Sequence, residues 1–179
     1  MTTVEILCYD GFDELDAVGP FEAFEMAVDE GAALDVSLVT LDDQSTVTAA
    51  HGLRIEVDGT LSPSDPPDLV VVPGGGWNDR RPEGAWAEAE RGEIPDALRT
   101  LHAEGTPLAA VCTGGMLLAR AGVLDGRPAI THGGALDDLR ETAAEVRERI
   151  QEAYDGLAAG PDRLFVEGGG LTAGKGLDI

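Results

Sequence analysis

The stretch PLAAVCTGGM, Pro107 to Met116, decides the fold. The apolar run ahead of Cys112 carries no charge, which is the signature of a strand covered on both faces of a sheet. Thr113, Gly114 and Gly115 then let the backbone turn sharply into a helix over Met116 to Arg120. Cys112 stands at that strand-to-helix junction, where a side chain is presented at the carboxyl end of the sheet. The N–H groups of a helix start are expected there to lower the thiol pKa and to hold developing negative charge. A single cysteine in an apolar run also reads as a small buried hydrophobe, and this segment alone leaves both readings open.

A second apolar strand, DLVVVPGGG from Asp68 to Gly76, ends in proline and three glycines. Such a loop can take positive φ angles and bring its N–H groups close to a bound molecule, or it is an ordinary turn between strand and helix. Trp77 follows it, placed either to line a small apolar pocket or to cover the sheet edge. Near the start, Val4 to Tyr9 reads as a strand, and LDAVGPFE from Leu15 to Glu22 follows a short acidic loop. Asp16 precedes a Gly-Pro pair expected to begin or kink the first helix. It is read either as the cap of that helix or as a functional carboxylate.

Outward from these segments, strand and helix patterns alternate, which calls for a parallel sheet with helices on both faces. A helix is expected at about 18 to 30, then a strand over Leu34 to Leu41. Thr46 to Ala50 and Leu53 to Val57 flank His51 and Gly52 as a hairpin. Trp86 to Glu104 reads as a helix interrupted at Pro95, Pro128 to Thr131 as a short strand ending at His132, and Ala135 to Tyr154 as a helix.

Together, LDAVGP (Leu15 to Pro20), VPGGG (Val72 to Gly76) and AVCTGG (Ala110 to Gly115) resemble the amino-terminal acidic motif, the oxyanion loop and the elbow of the ThiJ/PfpI superfamily. That group includes the Parkinsonism-associated deglycase and shares the class I glutamine-amidotransferase-like fold. Thr131, His132 and Leu171 to Gly174 fall where the superfamily has matching segments. The resemblance implies an α/β three-layer sandwich, flavodoxin-like, with a mostly parallel sheet and a nucleophile elbow. It makes Cys112 and Asp16 the catalytic pair and puts backbone N–H groups at Gly75 and Thr113 around an oxyanion. His132, Gly74, Gly76 and Trp77 become candidates for the pocket wall, and His132 for either a proton-transfer or a loop-anchoring role. An aspartate at position 16 with Cys-Thr-Gly at the elbow is most similar to the isonitrile hydratase branch. The peptidase-like branch has histidine where Thr113 stands, and the deglycase branch has glutamate in place of Asp16.

The implied function is addition of water to a small electrophilic substrate, with no metal or organic cofactor. The alternatives are a glyoxalase, deglycase or peptidase-like hydrolase of the same superfamily, or a non-catalytic cysteine-based oxidative-stress sensor or chaperone. Two departures stand out. Gly133 and Gly134 follow His132 where the isonitrile hydratase-like branch often has tryptophan, which implies a more open pocket wall. The superfamily also continues past its Thr-Ala-Gly segment into a final helix that is expected to be lacking here. A homodimer is expected on the same resemblance.

The 179 residues suit one domain with a substantial core. The apolar runs are strand-length, far short of a membrane span, and Met1 to Glu5 lacks a basic targeting start, so a cytoplasmic location is expected. Cys8 and Cys112 lie on separate elements, which argues against a disulfide scaffold or a zinc site; Cys8, inside the first strand, is expected in the core. Thirty-four acidic residues oppose 12 basic ones for a net charge of −22. A polyanionic partner would be repelled, so nucleic-acid binding is excluded as an expectation. Acid spread along the whole chain, with Lys175 as its one lysine, resembles proteins of salt-accumulating halophiles, where counterions screen self-repulsion.

Overall fold

The computed structural model describes residues 1–146 and the backbone of residues 165–167. Its strands, in chain order, are β1 Thr2–Leu7, β2 Leu34–Thr40, β3 Thr46–Thr48, β4 Arg54–Glu56, β5 Gly59–Thr60, β6 Leu69–Val72, β7 Leu108–Val111, β8 Pro128–Ala129, β9 Glu145–Val146 and β10 Phe165–Glu167. The helices are α1 Glu14–Asp29, α2 Ala85–Arg91, α3 Glu93–Ala103, α4 Gly114–Arg120 and α5 Leu136–Arg140, with a 3₁₀ turn at Gly133–Ala135. Six strands form one sheet in the order β10-β7-β6-β1-β2-β5, every pair parallel.

Strand order turns around at the β1/β6 boundary: β1 steps to β2 on one side, while β6 steps to β7 and β7 to β10 on the other. With right-handed crossovers this puts α1 on one face of the sheet and α2, α3 and α4 on the opposite face. The result is the three-layer α/β architecture expected from the sequence. Open sheets of this kind bind ligands where the strand order reverses, outside the carboxyl ends of the strands. The loops after β1, β6 and β7 all open there.

Burial explains why the central strands read so plainly. All four residues of β6 are buried, and so are Val4, Ile6 and Leu7 of β1 and Leu108, Ala110 and Val111 of β7. Cys8 is buried among them, as expected, and burial pushes its thiol up to about 12. Helix α3 turns Ile94, Ala97, Leu98 and Leu101 inward, the i, i+3, i+4, i+7 stripe of a core-facing helix.

The hairpin stands as expected, as the antiparallel pair β3 and β4. Four other assignments are corrected. Helix α1 begins at Glu14, earlier than 18, because Asp13 caps it through an Oδ1 that accepts the Leu15 N–H at 3.2 Å. Pro20 lies within that helix instead of opening it, and Asp16 is in the first turn, facing inward. The break in the 86–104 segment falls at Gly92, left-handed at φ 86°, and Pro95 is accommodated in the first turn of α3; proline is tolerated there because first-turn N–H groups have no partner within the helix. Helix α4 begins at Gly114, before Met116. The expected helix from Ala135 ends at Arg140 and gives way to β9, which pairs with β8 in a small sheet of its own. The rest of that expected helix, and Leu171 to Ile179, lie outside the described residues.

The charge surplus has a consequence for stability. At 0.01 M salt the screening length is about 30 Å, longer than the radius of such a domain, and at 1 M it is about 3 Å. Repulsion among the surplus carboxylates is therefore felt across the molecule only at low salt. We expect the melting temperature to rise by several degrees between 0.01 and 2 M KCl; a flat or falling trend in a thermal scan would contradict this.

Candidate active site

Three loops meet at the reversal of strand order, and each brings one group. Cys112 follows β7 in a left-handed conformation, φ 54°, which costs an L-residue about 1–2 kcal/mol and is the strained elbow expected from the sequence. The glycines on either side of the crossing make it sterically feasible. A Cβ at Gly114 would lie 2.1 Å from the Val72 carbonyl oxygen, and one at Gly74 would lie 2.5 Å from the Thr113 nitrogen. The elbow and the loop after β6 thus stack backbone on backbone, and side chains at these positions would force them apart.

Asp16 comes from the first turn of α1 and is 7% exposed. Its Oδ2 accepts the Gly74 N–H at 3.1 Å, and its carboxyl lies near enough to the Cys112 thiol for each to shift the titration of the other. The two residues singled out from the sequence therefore lie in one neighbourhood. Burial, with the charge of Asp13 second, raises the Asp16 carboxyl from 3.8 to about 6, against the opposing pull of the Gly74 N–H and of Cys112.

The thiol departs from expectation. Burial, and then the neighbouring Asp16 carboxylate, push Cys112 up to about 12, and the Thr113 N–H directed at the sulfur offsets only part of this. The expected lowering by the helix start loses because one N–H dipole faces both desolvation and a formal negative charge. At neutral pH the shared proton is on sulfur, and Asp16 is the base beside it.

The backbone donors are also more committed than the glycine run suggests. Gly74 N–H is taken by Asp16, and Gly75 N–H, expected to face a developing oxyanion, donates to Thr113 Oγ1 at 2.9 Å. Gly75 and Gly76 do adopt positive φ, 118° and 68°. Thr113 N–H lies near enough to the sulfur to lower its pKa.

His132 anchors its loop. Its Nδ1 accepts the Gly134 N–H at 3.1 Å, capping the 3₁₀ turn, and meets Asn78 Nδ2 at 3.2 Å. A Cβ at Gly134 would come within 2.8 Å of that same Asn78 nitrogen, so glycine after His132 makes room for Asn78. Trp77 is 2% exposed; its ring stands edge-on to Trp86 at 5.2 Å and its Nε1 donates to Asp138 at 2.5 Å. Arg80 lies 3.8 Å over the Trp86 ring and pairs with Asp138 at 2.8 Å. Trp77 therefore ties α2 to α5 as part of a packed aromatic-cation cluster.

Tyr9, and Thr131 to which the sequence reading assigned no role, complete the site. The hydroxyl of Tyr9, wholly buried, donates to the Pro73 carbonyl and lies 3.3 Å from the Gly74 carbonyl oxygen, clamping the glycine loop to the end of β1. The Thr131 hydroxyl donates to the Cys112 carbonyl at 3.0 Å. A tyrosine and a threonine at strand ends carry no local pattern that marks them. At the rim, His51 Nδ1 is 2.7 Å from Glu14 Oε2, and one ligand-type atom each of Asp13, Glu14 and His51 fall within 4.8 Å of one another. This is the one such grouping among the described residues. Both Glu14 oxygens are already engaged by His51.

Such a site can move a proton from thiol to carboxylate as sulfur attacks an electrophilic carbon, and can return it from carboxyl to product. An isonitrile hydratase from Pseudomonas putida is 30% identical over 171 residues, spanning 96% of this chain and 66% of the relative, so the chain corresponds to just under two thirds of that protein. A deglycase from Pyrococcus horikoshii is 28% identical over 144 residues, 79% of each chain. Among solved structures, oxidized DJ-1 of Toxoplasma gondii superposes with a TM-score of 0.63 at 21% identity, over 76% of this chain and 70% of that one. Residues 2–177 match the DJ-1/PfpI family, and the chain, with its parallel sheet flanked by helices, belongs to that family.

Proposed function

We propose that this protein is a cysteine-dependent hydro-lyase of isonitrile hydratase type. The observation that carries the proposal is the buried Asp16 carboxyl, held by the Gly74 N–H beside a cysteine at a strained elbow, with the two groups shifting each other's titration. In the proposed sequence Asp16 accepts the thiol proton as sulfur bonds to the terminal carbon of R–N≡C. The protonated Asp16 then delivers that proton to the same carbon, giving the thioimidate R–N=CH–S. Water adds to the carbon, the C–S bond breaks, and R–NH–CHO leaves as sulfur recovers its proton. Atoms balance with water as the only co-substrate.

Aspartate supports this reading over the deglycase one, because a carboxyl held by the Gly74 N–H beside the sulfur is placed to shuttle a proton to a carbon bonded there. The resting thiol, raised to about 12, also disfavours an oxidation sensor, whose chemistry needs a ready thiolate. An assay of an aryl isonitrile beside methylglyoxal, with formamide and lactate measured separately, decides between the readings. Formamide production that disappears in Cys112→Ala is expected. Lactate alone would replace the proposal with the glyoxalase reading, and neither product, with Cys112 converted to sulfinic acid by mild peroxide, would replace it with the sensor.

A further inference from the structure

Thr131 lies just beyond β8, 3% exposed, with its hydroxyl on the Cys112 carbonyl at 3.0 Å. Among the described residues the other donor to that oxygen is the Gly115 N–H, at a longer 3.4 Å. The Cys112 carbonyl and the Thr113 N–H belong to one planar trans peptide and so point in opposite directions. Whatever holds the carbonyl toward Thr131 turns the N–H the other way, toward the Cys112 sulfur. The long Gly115 bond is by itself a weak local hold on this orientation. Cys112 is strained at φ 54°, the residue after Thr113 is a glycine, and rotation of the 112–113 peptide would turn the N–H away from the sulfur and bring the carbonyl oxygen toward it. A carbonyl there would repel a thiolate where the N–H stabilises it.

We infer that Thr131 is a positioning residue whose hydroxyl locks the 112–113 peptide, keeping the Thr113 N–H aimed at the reacting sulfur. The inference rests on the reading of Cys112 as the reacting thiol, but it concerns the state of that thiol and is measured without substrate. The fold supplies the lock by bringing the β8 end across the β7 elbow, 19 residues along the chain. Thr131 suits the task because its hydroxyl is buried and its branched side chain restricts rotation about χ1.

The test is the rate at which iodoacetamide, which reacts with thiolate, alkylates Cys112 in the full chain between pH 7 and 9.5, followed by peptide mass so that Cys8 is counted separately. Loss of one hydrogen bond to a charged group corresponds to about a tenfold loss of thiolate. Thr131→Val is expected to be alkylated about tenfold more slowly than wild type at each pH, and Thr131→Ser, which keeps the hydroxyl, within about twofold of it. A merely structural threonine would lower the melting temperature and leave the alkylation rates unchanged; that result overturns the inference. Thr131→Ala serves the same comparison if valine prevents folding. Amide exchange of Thr113 in the wild-type protein gives an independent reading: protection is expected, and exchange at the rate of an open peptide overturns the inference whatever the variants do. Absence of isonitrile turnover would bear on the proposed function and leave these rates untouched.

Discussion

Cys112→Ala and Asp16→Asn are each expected to lower kcat/KM for an aryl isonitrile by about a thousandfold or more, and the double variant by scarcely more than either alone. The expectation follows from the shared proton. Without sulfur the carbon has no nucleophile, and without a carboxyl at position 16 the proton on sulfur, held there by a thiol pKa raised to about 12, has no acceptor. Groups that act as one unit lose nearly everything at the first removal. Because Asp16 must be ionised to take the proton, kcat/KM of the wild type should rise through a limb near pH 6, where the carboxyl titrates. Two independent losses that multiply in the double variant, or full turnover in Asp16→Asn, would show that Asp16 and Cys112 are neighbours without being partners. Secondary structure by circular dichroism should be unchanged in all three variants, since neither side chain belongs to the main apolar core.

How much of this was legible in the sequence depends on how local each cause is. The strands around the site were readable because double-sided burial forces an uninterrupted apolar run, and Leu69–Val72 and Leu108–Val111 are such runs. Cys112 and Asp16 stood out as candidates because the elbow and the first turn of a helix carry local marks, Thr-Gly-Gly after the cysteine and an acid before Gly-Pro. The family match added what spacing cannot supply, that residues 16, 74 and 112 come together. The direction of the thiol pKa was not legible. The helix-start argument uses only neighbours in sequence, while the deciding terms are burial and a carboxylate 96 positions away. The Gly75 amide was misread for the same reason, since its acceptor, Thr113 Oγ1, is on another loop. Tyr9 and Thr131 act through hydroxyls on backbone carbonyls, contacts that leave no periodicity behind. Pro95 drew the helix break away from Gly92 because proline is the stronger breaker in a helix interior, a rule that lapses in the first turn.

Asp16→Asn is expected to make the protein more stable at neutral pH while it removes activity. The Asp16 carboxyl titrates at about 6 in the folded chain against 3.8 in its ordinary state, so the folded state binds this proton more tightly than the unfolded one. Below about pH 3.8 both states hold the proton and the group costs nothing. As pH rises from 3.8 to 6 the unfolded chain releases its proton first, and stability falls. Above pH 6 the whole cost is present, about 3 kcal/mol for a shift of this size. Asparagine keeps an oxygen for the Gly74 N–H and carries no charge to desolvate, so it escapes that cost. Urea denaturation of the two proteins should therefore coincide near pH 3.5, diverge through pH 5, and differ by about 3 kcal/mol in favour of Asp16→Asn at pH 7. A variant less stable than wild type at pH 7 would mean that the ionised carboxyl holds the fold together, and that its closeness to sulfur serves structure. A gain that appears only above pH 4 would identify Asp16 as a group kept at a cost to stability, which is the mark of a residue retained for what it does to the proton on Cys112.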